Sequence, residues 1–150
     1  MTWKTLHILA VVLCSVTATK YSDCGSLGSV SEFKLTGCEV PPCIVNRPPS
    51  GSSPSTYTVD ITFTPGHDSS LLATGIIAGI GNIDVPWPGP DGCNCLLEDQ
   101  CPIKEGKEYH YHAEFPVLAT YPAIDVLITW TLEDENSNNQ VCLQFPITLV

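Results

Sequence analysis

Three cysteines fall within the thirteen residues DGCNCLLEDQCPI, at Cys93, Cys95 and Cys101. Two histidines follow at His110 and His112, with Glu114 in phase. Thiolates and imidazoles this close in sequence have three chemical uses: to hold a metal, to exchange electrons, or to close a covalent staple. A structural zinc site takes four ligands, usually from C-x-x-C pairs. Here the first pair is C-x-C and only His110 or His112 is left to supply a fourth ligand, so no metal site is assigned. A thioredoxin-type centre needs C-x-x-C opening a helix, and no such motif occurs. His110, His112 and Glu114 share one strand face opposite Tyr109 and Tyr111, a pattern read as a solvated outer face in preference to a metal or pH-sensing trio.

The third use depends on the compartment. The first residues, MTWKTLHILAVVLCSVTA, carry a charge at Lys4, an apolar run from Leu6 to Val16 and then small residues, which is the pattern of a secretory leader. Residues 1–18 are read as that leader and residues 19–150 as one domain. The apolar run is shorter than the roughly 20 residues a membrane-spanning helix needs. A secreted, extracellular chain matures in an oxidising compartment, where cysteines pair. Of eight cysteines, loss of Cys14 leaves seven, an odd number. Cys101 therefore bonds Cys93 or Cys95, and one thiol is spare. A bridge from Cys24 to Cys142 would close a very long loop worth about 5 kcal/mol in chain-entropy terms, against about 2 for Cys38 to Cys43.

Other chemistries find little footing. Loss of Lys4 takes the formal charge from −10 to −11, which disfavours nucleic acid and anionic membranes as partners. No G-x-S-x-G elbow is present, and the acids cluster in turns such as Glu98-Asp99 and Glu133 to Glu135 rather than as paired groups for acid–base work. The sequence thus reads as a non-enzyme without a cofactor. No Asn-x-Ser/Thr sequon occurs, the nearest candidate being Asn136-Ser137-Asn138.

The elements that must position these residues are strands. In TYTVDITFT, Tyr57, Val59, Ile61 and Phe63 alternate with Thr and Asp, the period of a half-buried strand. AIDVLITWTL aligns Ile124, Val126, Ile128, Trp130 and Leu132, and VCLQFPITL aligns Val141, Leu143, Phe145, Ile147 and Leu149. Weaker strands are expected at 29–36, 71–80 and 107–115. NRPPSGSSPS reads as an exposed connector, and VPWPGPDG, with Trp87 between two prolines, as a loop or sheet edge. No capped amphipathic helix appears, and 13 prolines punctuate the strands. The expected architecture is an all-β sandwich of about seven strands.

DCGS at 23–26, C-x-x-x-x-C at 38–43, VPWP followed by DGC, then CPI, GKEYHY, FPV, YP, ITWTLED and a late Cys142 together resemble the Niemann-Pick type C2 family of ML lipid-recognition domains. The resemblance covers essentially all of residues 19–150. It implies an immunoglobulin-like β-sandwich with a lipid cavity between its sheets, and disulfides joining Cys24 to Cys142, Cys38 to Cys43 and Cys93 to Cys101. Cys95 has no counterpart in that pattern and becomes the free thiol. Pro116, Val117 and Tyr121 match the family's pocket-entrance residues, Trp87 stands where sterol binders have Phe, and Trp130 matches an inner-wall aromatic. Leu35, Val59, Ile77, Val85, Phe115, Ile128 and Phe145 align with apolar wall positions.

Departures from the family pattern are the inserted GNID before VPWP, a shorter PWPGPD segment, Leu143 in place of a bulky aromatic, and Asp60 where mammalian members carry a glycosylated Asn. These lean toward a secreted, invertebrate-like member over a lysosomal one. The expected function is to carry a sterol, fatty acid or similar hydrophobic small molecule to a membrane or receptor. The chain is expected to be mostly monomeric, with a dimer linked through Cys95. Alternative classes are extracellular recognition of microbial lipids and an immunoglobulin-like protein-interaction module. Against the first stand the few basic residues available, Lys20, Lys34, Arg47, Lys104 and Lys107.

Overall fold

The structure, a computed structural model, describes residues 18–150. The leader read over residues 1–18 therefore lies, all but its last residue, outside the described residues. Nine strands follow in chain order: β1 (Ser22–Asp23), β2 (Ser29–Leu35), β3 (Cys43–Val45), β4 (Ser55–Thr64), β5 (Ala73–Ile80), β6 (Ile83–Asp91), β7 (Tyr109–Val117), β8 (Asp125–Glu133) and β9 (Asn139–Leu149). A single 3-10 turn, Gly92–Cys95, separates β6 from β7. Among the described residues no helix is long and apolar enough to cross a membrane.

Two antiparallel sheets face each other. The larger runs β1-β9-β8-β5-β6, with β3 pairing parallel to β9, and the smaller runs β2-β4-β7. This is the expected β-sandwich; seven of the strands are at least seven residues long, and the two very short ones, β1 and β3, flank β9. The alternation seen in the sequence sets the inward faces. Val59, Ile61 and Phe63 of β4, Val126, Trp130 and Leu132 of β8, and the odd-numbered residues Val141 to Leu149 of β9 are all buried. Side chains at i and i+2 share a face because the strand period is two. Between the sheets Phe33 of β2 meets Phe145 of β9 with ring centroids 4.8 Å apart.

VPWPGPDG is an edge strand rather than a loop. β6 pairs only with β5, placing Trp87 opposite Ile76. Pro86, Pro88 and Pro90 cost the outer edge its donors at no expense to a central ladder, and they blunt an edge that would otherwise invite another strand.

The structure joins Cys24 to Cys142, Cys38 to Cys43 and Cys93 to Cys101, and Cys95 is unpaired. The Asp91 carboxylate accepts a hydrogen bond from the Cys93 backbone N–H at 2.9 Å. Gly92 passes so close to Leu72 that a Cβ there would sit 2.6 Å from the Leu72 carbonyl oxygen. Turn, bridge and close approach together hold the end of β6 against the start of β5.

Candidate ligand-binding cavity

Six strands on one side and three on the other leave the larger sheet incompletely covered, and a cavity of about 140 Å³ opens there. The larger sheet supplies most of its wall. Ile76, Ala78 and Ile80 come from β5, Val126, Ile128 and Trp130 from β8, Phe145, Ile147 and Leu149 from β9, and Val45 from β3. In each long strand these are alternate residues, so one face of the pleat forms one wall. The smaller sheet contributes only the end of β7, namely Phe115, Pro116 and Val117. Tyr121, Pro122 and Ile124 from the β7–β8 connection and Trp87 from β6 complete it.

The wall carries no charged residue and no Ser, Thr, Asn or Gln. Its nitrogen and oxygen atoms outside the backbone are the Trp87 and Trp130 indole nitrogens and the Tyr121 hydroxyl. Trp130 Nε1 is buried and has no hydrogen-bond partner. The rings of Tyr111 and Phe115 pack around Trp130 at centroid distances of 6.4 and 6.2 Å. Behind it the Tyr111 hydroxyl is 2.7 Å from Thr74 Oγ1, and burial pushes the Tyr111 phenol well above its ordinary range.

At the mouth, Trp87 and Tyr121 meet edge-on with centroids 5.1 Å apart, the geometry in which a ring edge faces the negative face of its neighbour. Trp87 remains 38% exposed, so this contact borders solvent. Burial pushes the Tyr121 phenol up as well. Arg47, outside the wall, donates from Nη1 to the Tyr121 carbonyl oxygen at 2.7 Å and from Nε to the Val150 oxygen at 3.1 Å.

Of the twelve positions singled out from the sequence, Trp87, Phe115, Pro116, Val117, Tyr121, Ile128, Trp130 and Phe145 are brought together around this cavity. The other four are not. Leu35 and Val59 are fully buried but sit opposite each other on β2 and β4, strands that contribute nothing to the wall. Ile77 faces outward and is 39% exposed: β5 turns Ile76, Ala78 and Ile80 inward instead, and a strand with Ile at two successive positions does not announce which one is buried. Val85 lies opposite Ala78 and so on the inner side, but β6 is the last strand of its sheet and leaves it half-buried beyond the cavity.

Nine wall residues had not been singled out: Val45, Ile76, Ala78, Ile80, Pro122, Ile124, Val126, Ile147 and Leu149. Ile124, Val126, Ile147 and Leu149 were visible as members of alternating faces. Nothing in the local pattern distinguishes a residue facing a void from one facing packed core. Val45 and Pro122 belong to segments without periodicity.

His112 and Asp60 lie side by side on the outer face of the smaller sheet, with Nδ1 2.6 Å from Oδ1. His110 Nδ1 is 3.1 Å from Thr62 Oγ1, and Glu114 is exposed. None of the three touches the cavity wall. The Cys95 thiol, half-buried, lies beside the Tyr111 hydroxyl, and burial raises its pKa above the ordinary thiol value.

Residues 18–149 match the family of ML domains. The chain is 35% identical over 151 residues to a zebrafish (Danio rerio) protein named NPC intracellular cholesterol transporter 2, covering 96% of this chain and 97% of that one. It is 29% identical to the Drosophila melanogaster protein named NPC intracellular cholesterol transporter 2 homolog a, over 91% of this chain and 95% of the relative. Among solved structures, a Niemann-Pick type C2 protein from the Japanese carpenter ant superposes with a TM-score of 0.74 at 26% identity, covering 87% of this chain and 99% of the other. Chicken MD-1, solved in complex with lipid IVa, shares the fold at a TM-score of 0.53 and 18% identity, over 84% and 85% of the two chains. With the cavity between its two sheets, the chain belongs to the ML-domain family, among the Niemann-Pick type C2 proteins.

Proposed function

We propose that the protein binds and transfers a lipid, carrying a sterol, fatty acid or similar hydrophobic small molecule in the cavity behind Trp87 and Tyr121. The observation that carries this reading is the uncharged wall of seventeen residues around an unfilled space of about 140 Å³ in the sandwich. An interior normally packs to crystal density, so a void of this size in the wall of a small domain calls for an occupant. Relatives named as cholesterol transporters support the same reading.

The driving force is burial of hydrocarbon. An eighteen-carbon chain gains on the order of 14 kcal/mol gross, at about 0.8 kcal/mol per methylene. Association and ordering costs bring this to micromolar or nanomolar affinity. A void of roughly 150 Å³ takes up a benzene-sized molecule. A sterol or long chain therefore needs the walls to part, most readily where only the end of β7 covers the larger sheet. A ligand hydroxyl or carboxylate rests best at the mouth near Tyr121, where water still reaches it and desolvation costs least.

Secretion into the extracellular fluid is supported by the leader pattern and by three disulfides, which persist in oxidising compartments. Delivery then goes to a membrane or a receptor. No bond is made or broken in this cycle, and neither enzyme activity nor a cofactor is assigned.

Recognition of microbial lipids is the second reading, favoured by the shared fold with an ML protein solved with lipid IVa. Against it, the one basic side chain hydrogen-bonded to the mouth, Arg47, is committed to the Tyr121 and Val150 oxygens.

The test is native mass spectrometry of the secreted, oxidised protein, followed by extraction and identification of bound lipid. Delipidated protein should take up a sterol or a fatty acid with one-to-one stoichiometry. Failure to take up either class would overturn the carrier reading.

A further inference from the structure

We propose that Arg47 is a positioning residue for the cavity mouth. By fastening the β7–β8 connection it sets how fast a ligand passes Trp87 and Tyr121, while leaving its contacts in the wall unchanged. The inference rests on the carrier reading above.

The connection between Val117 and Asp125 carries Tyr121, whose ring closes on Trp87. Its backbone is held at few points. The Tyr121 N–H donates to the Leu118 carbonyl within the loop itself, and the Ile124 carbonyl accepts from the Leu149 N–H at the β8 end. At Tyr121 the attachment to the rest of the sandwich is the Arg47 guanidinium, through the 2.7 Å bond from Nη1 to the carbonyl oxygen. Arg47 is itself fixed: its backbone N–H donates to the Val150 oxygen at 3.0 Å, its Nε donates to the same atom at 3.1 Å, and the Val150 N–H donates to the Val45 carbonyl. The tether thus runs from the end of β3, next to wall residue Val45, across the end of β9 to the loop that closes the mouth.

Two features make this a device for passage rather than for affinity. The Arg47 side chain is not part of the wall, so its removal takes no apolar contact from a ligand. A hydrogen bond from a charged donor in a half-buried position is stronger than a neutral one, so its loss raises the population of a displaced loop appreciably. Ligand entering and ligand leaving cross the same mouth, so both rates rise together and their ratio changes little.

The experiment uses full-length secreted protein and a fluorescent fatty acid as probe, with association and dissociation followed by stopped flow. Arg47→Met should raise both rate constants about tenfold, the ratio that corresponds to loss of a single charged hydrogen bond, with Kd within about threefold of the parent. Arg47→Lys, which keeps the charge, should fall between the two. Equal rates in parent and Arg47→Met overturn the proposal. So does a rise in dissociation alone, because that would make Arg47 part of the bound state's stability. If Arg47→Met does not accumulate, Arg47→Ala, which also lacks a side-chain donor, carries the same comparison. A parent protein that binds neither this probe nor a fluorescent sterol defeats the carrier reading itself. Acrylamide quenching of Trp87 in ligand-free protein, with Trp130 subtracted through Trp87→Phe, still tests the tether, because Arg47→Met should expose Trp87 and an unchanged quenching constant would reject it.

Discussion

Trp87, on the edge strand β6 of the larger sheet, and Tyr121, on the loop leaving the smaller sheet, meet edge-on at 5.1 Å between ring centroids. One aromatic contact thereby spans the two layers at the mouth of the cavity. An edge-to-face pair contributes about 0.5–1.5 kcal/mol beyond area burial.

Breaking this pair should weaken retention of a ligand more than it weakens the fold. Trp87→Ala is expected to raise Kd for a bound fatty acid or sterol by about tenfold, and Trp87→Phe by much less. Tm should move by only a few degrees, since Trp87 is more than one-third exposed. Titration of delipidated protein with a fluorescent probe, alongside thermal melts, separates the two effects.

Filling the cavity should uncouple stability from binding. Ala78 lies on the wall with its neighbours Ile76 and Ile80, and a larger side chain there projects into empty space instead of packed atoms. Ala78→Leu is expected to leave Tm equal or higher, because burying new methylenes is favourable at about 0.8 kcal/mol each where no strain results. Lipid uptake should fall at least tenfold. A destabilised variant that still binds normally would show that the ligand sits elsewhere.

Asp134 should govern part of the acid limb of stability. Burial by itself raises its pKa, but hydrogen bonds from the Asn138 and Asn136 backbones and the Gln140 side chain outweigh that and hold the carboxyl below its ordinary value. Gln140 in turn accepts from the Gly66 N–H at 2.8 Å, so the chain of bonds ties the β8–β9 turn to the β4–β5 loop. With a folded pKa below the unfolded value of about 3.9, this group's contribution is fully present above about pH 4 and is lost as pH falls through the folded value. Asp134→Asn should cost about 1–2 kcal/mol at pH 7 and flatten the pH dependence of urea midpoints below pH 4.

Cys95 should behave as a slow thiol. Burial raises its pKa, and the thiolate is the reacting species. Labelling with iodoacetamide at pH 7 is expected to be several-fold slower than for a free cysteine peptide and to accelerate on denaturation. A reducible dimer is expected as a minor band on a non-reducing gel and should be absent from Cys95→Ser. Rapid labelling of the folded protein would contradict the half-buried position.

Much of this architecture was legible in the residues themselves. Alternation in TYTVDITFT, AIDVLITWTL and VCLQFPITL marked β4, β8 and β9 because a period of two on an amphipathic strand has one consistent solution. The secretory leader pattern turned the cysteines from ligands into staples, since redox compartment decides their chemistry. Motifs shared with a known family then supplied a cavity and most of its mouth. Ile77, assigned to the wall through the family resemblance, faces outward, and the degenerate pair Ile76-Ile77 gave no signal against it; where prolines interrupted the pattern, as around Trp87, an edge strand read as a loop or edge.

The sequence alone determined that this chain alternates into strands and that strands of this kind stack into a sandwich. Only the tertiary structure decided that three strands would cover six. That mismatch leaves Ala78 and Ile128 facing a void while Leu35 and Val59, equally apolar, face packed neighbours. It also decided that Arg47, in the sequence one of only a few basic residues and set in a proline-rich connector, would reach the Tyr121 carbonyl 74 positions away. Periodicity reports which side of a strand is dry; whether the dry side meets atoms or empty space depends on what another sheet, distant in sequence, brings against it.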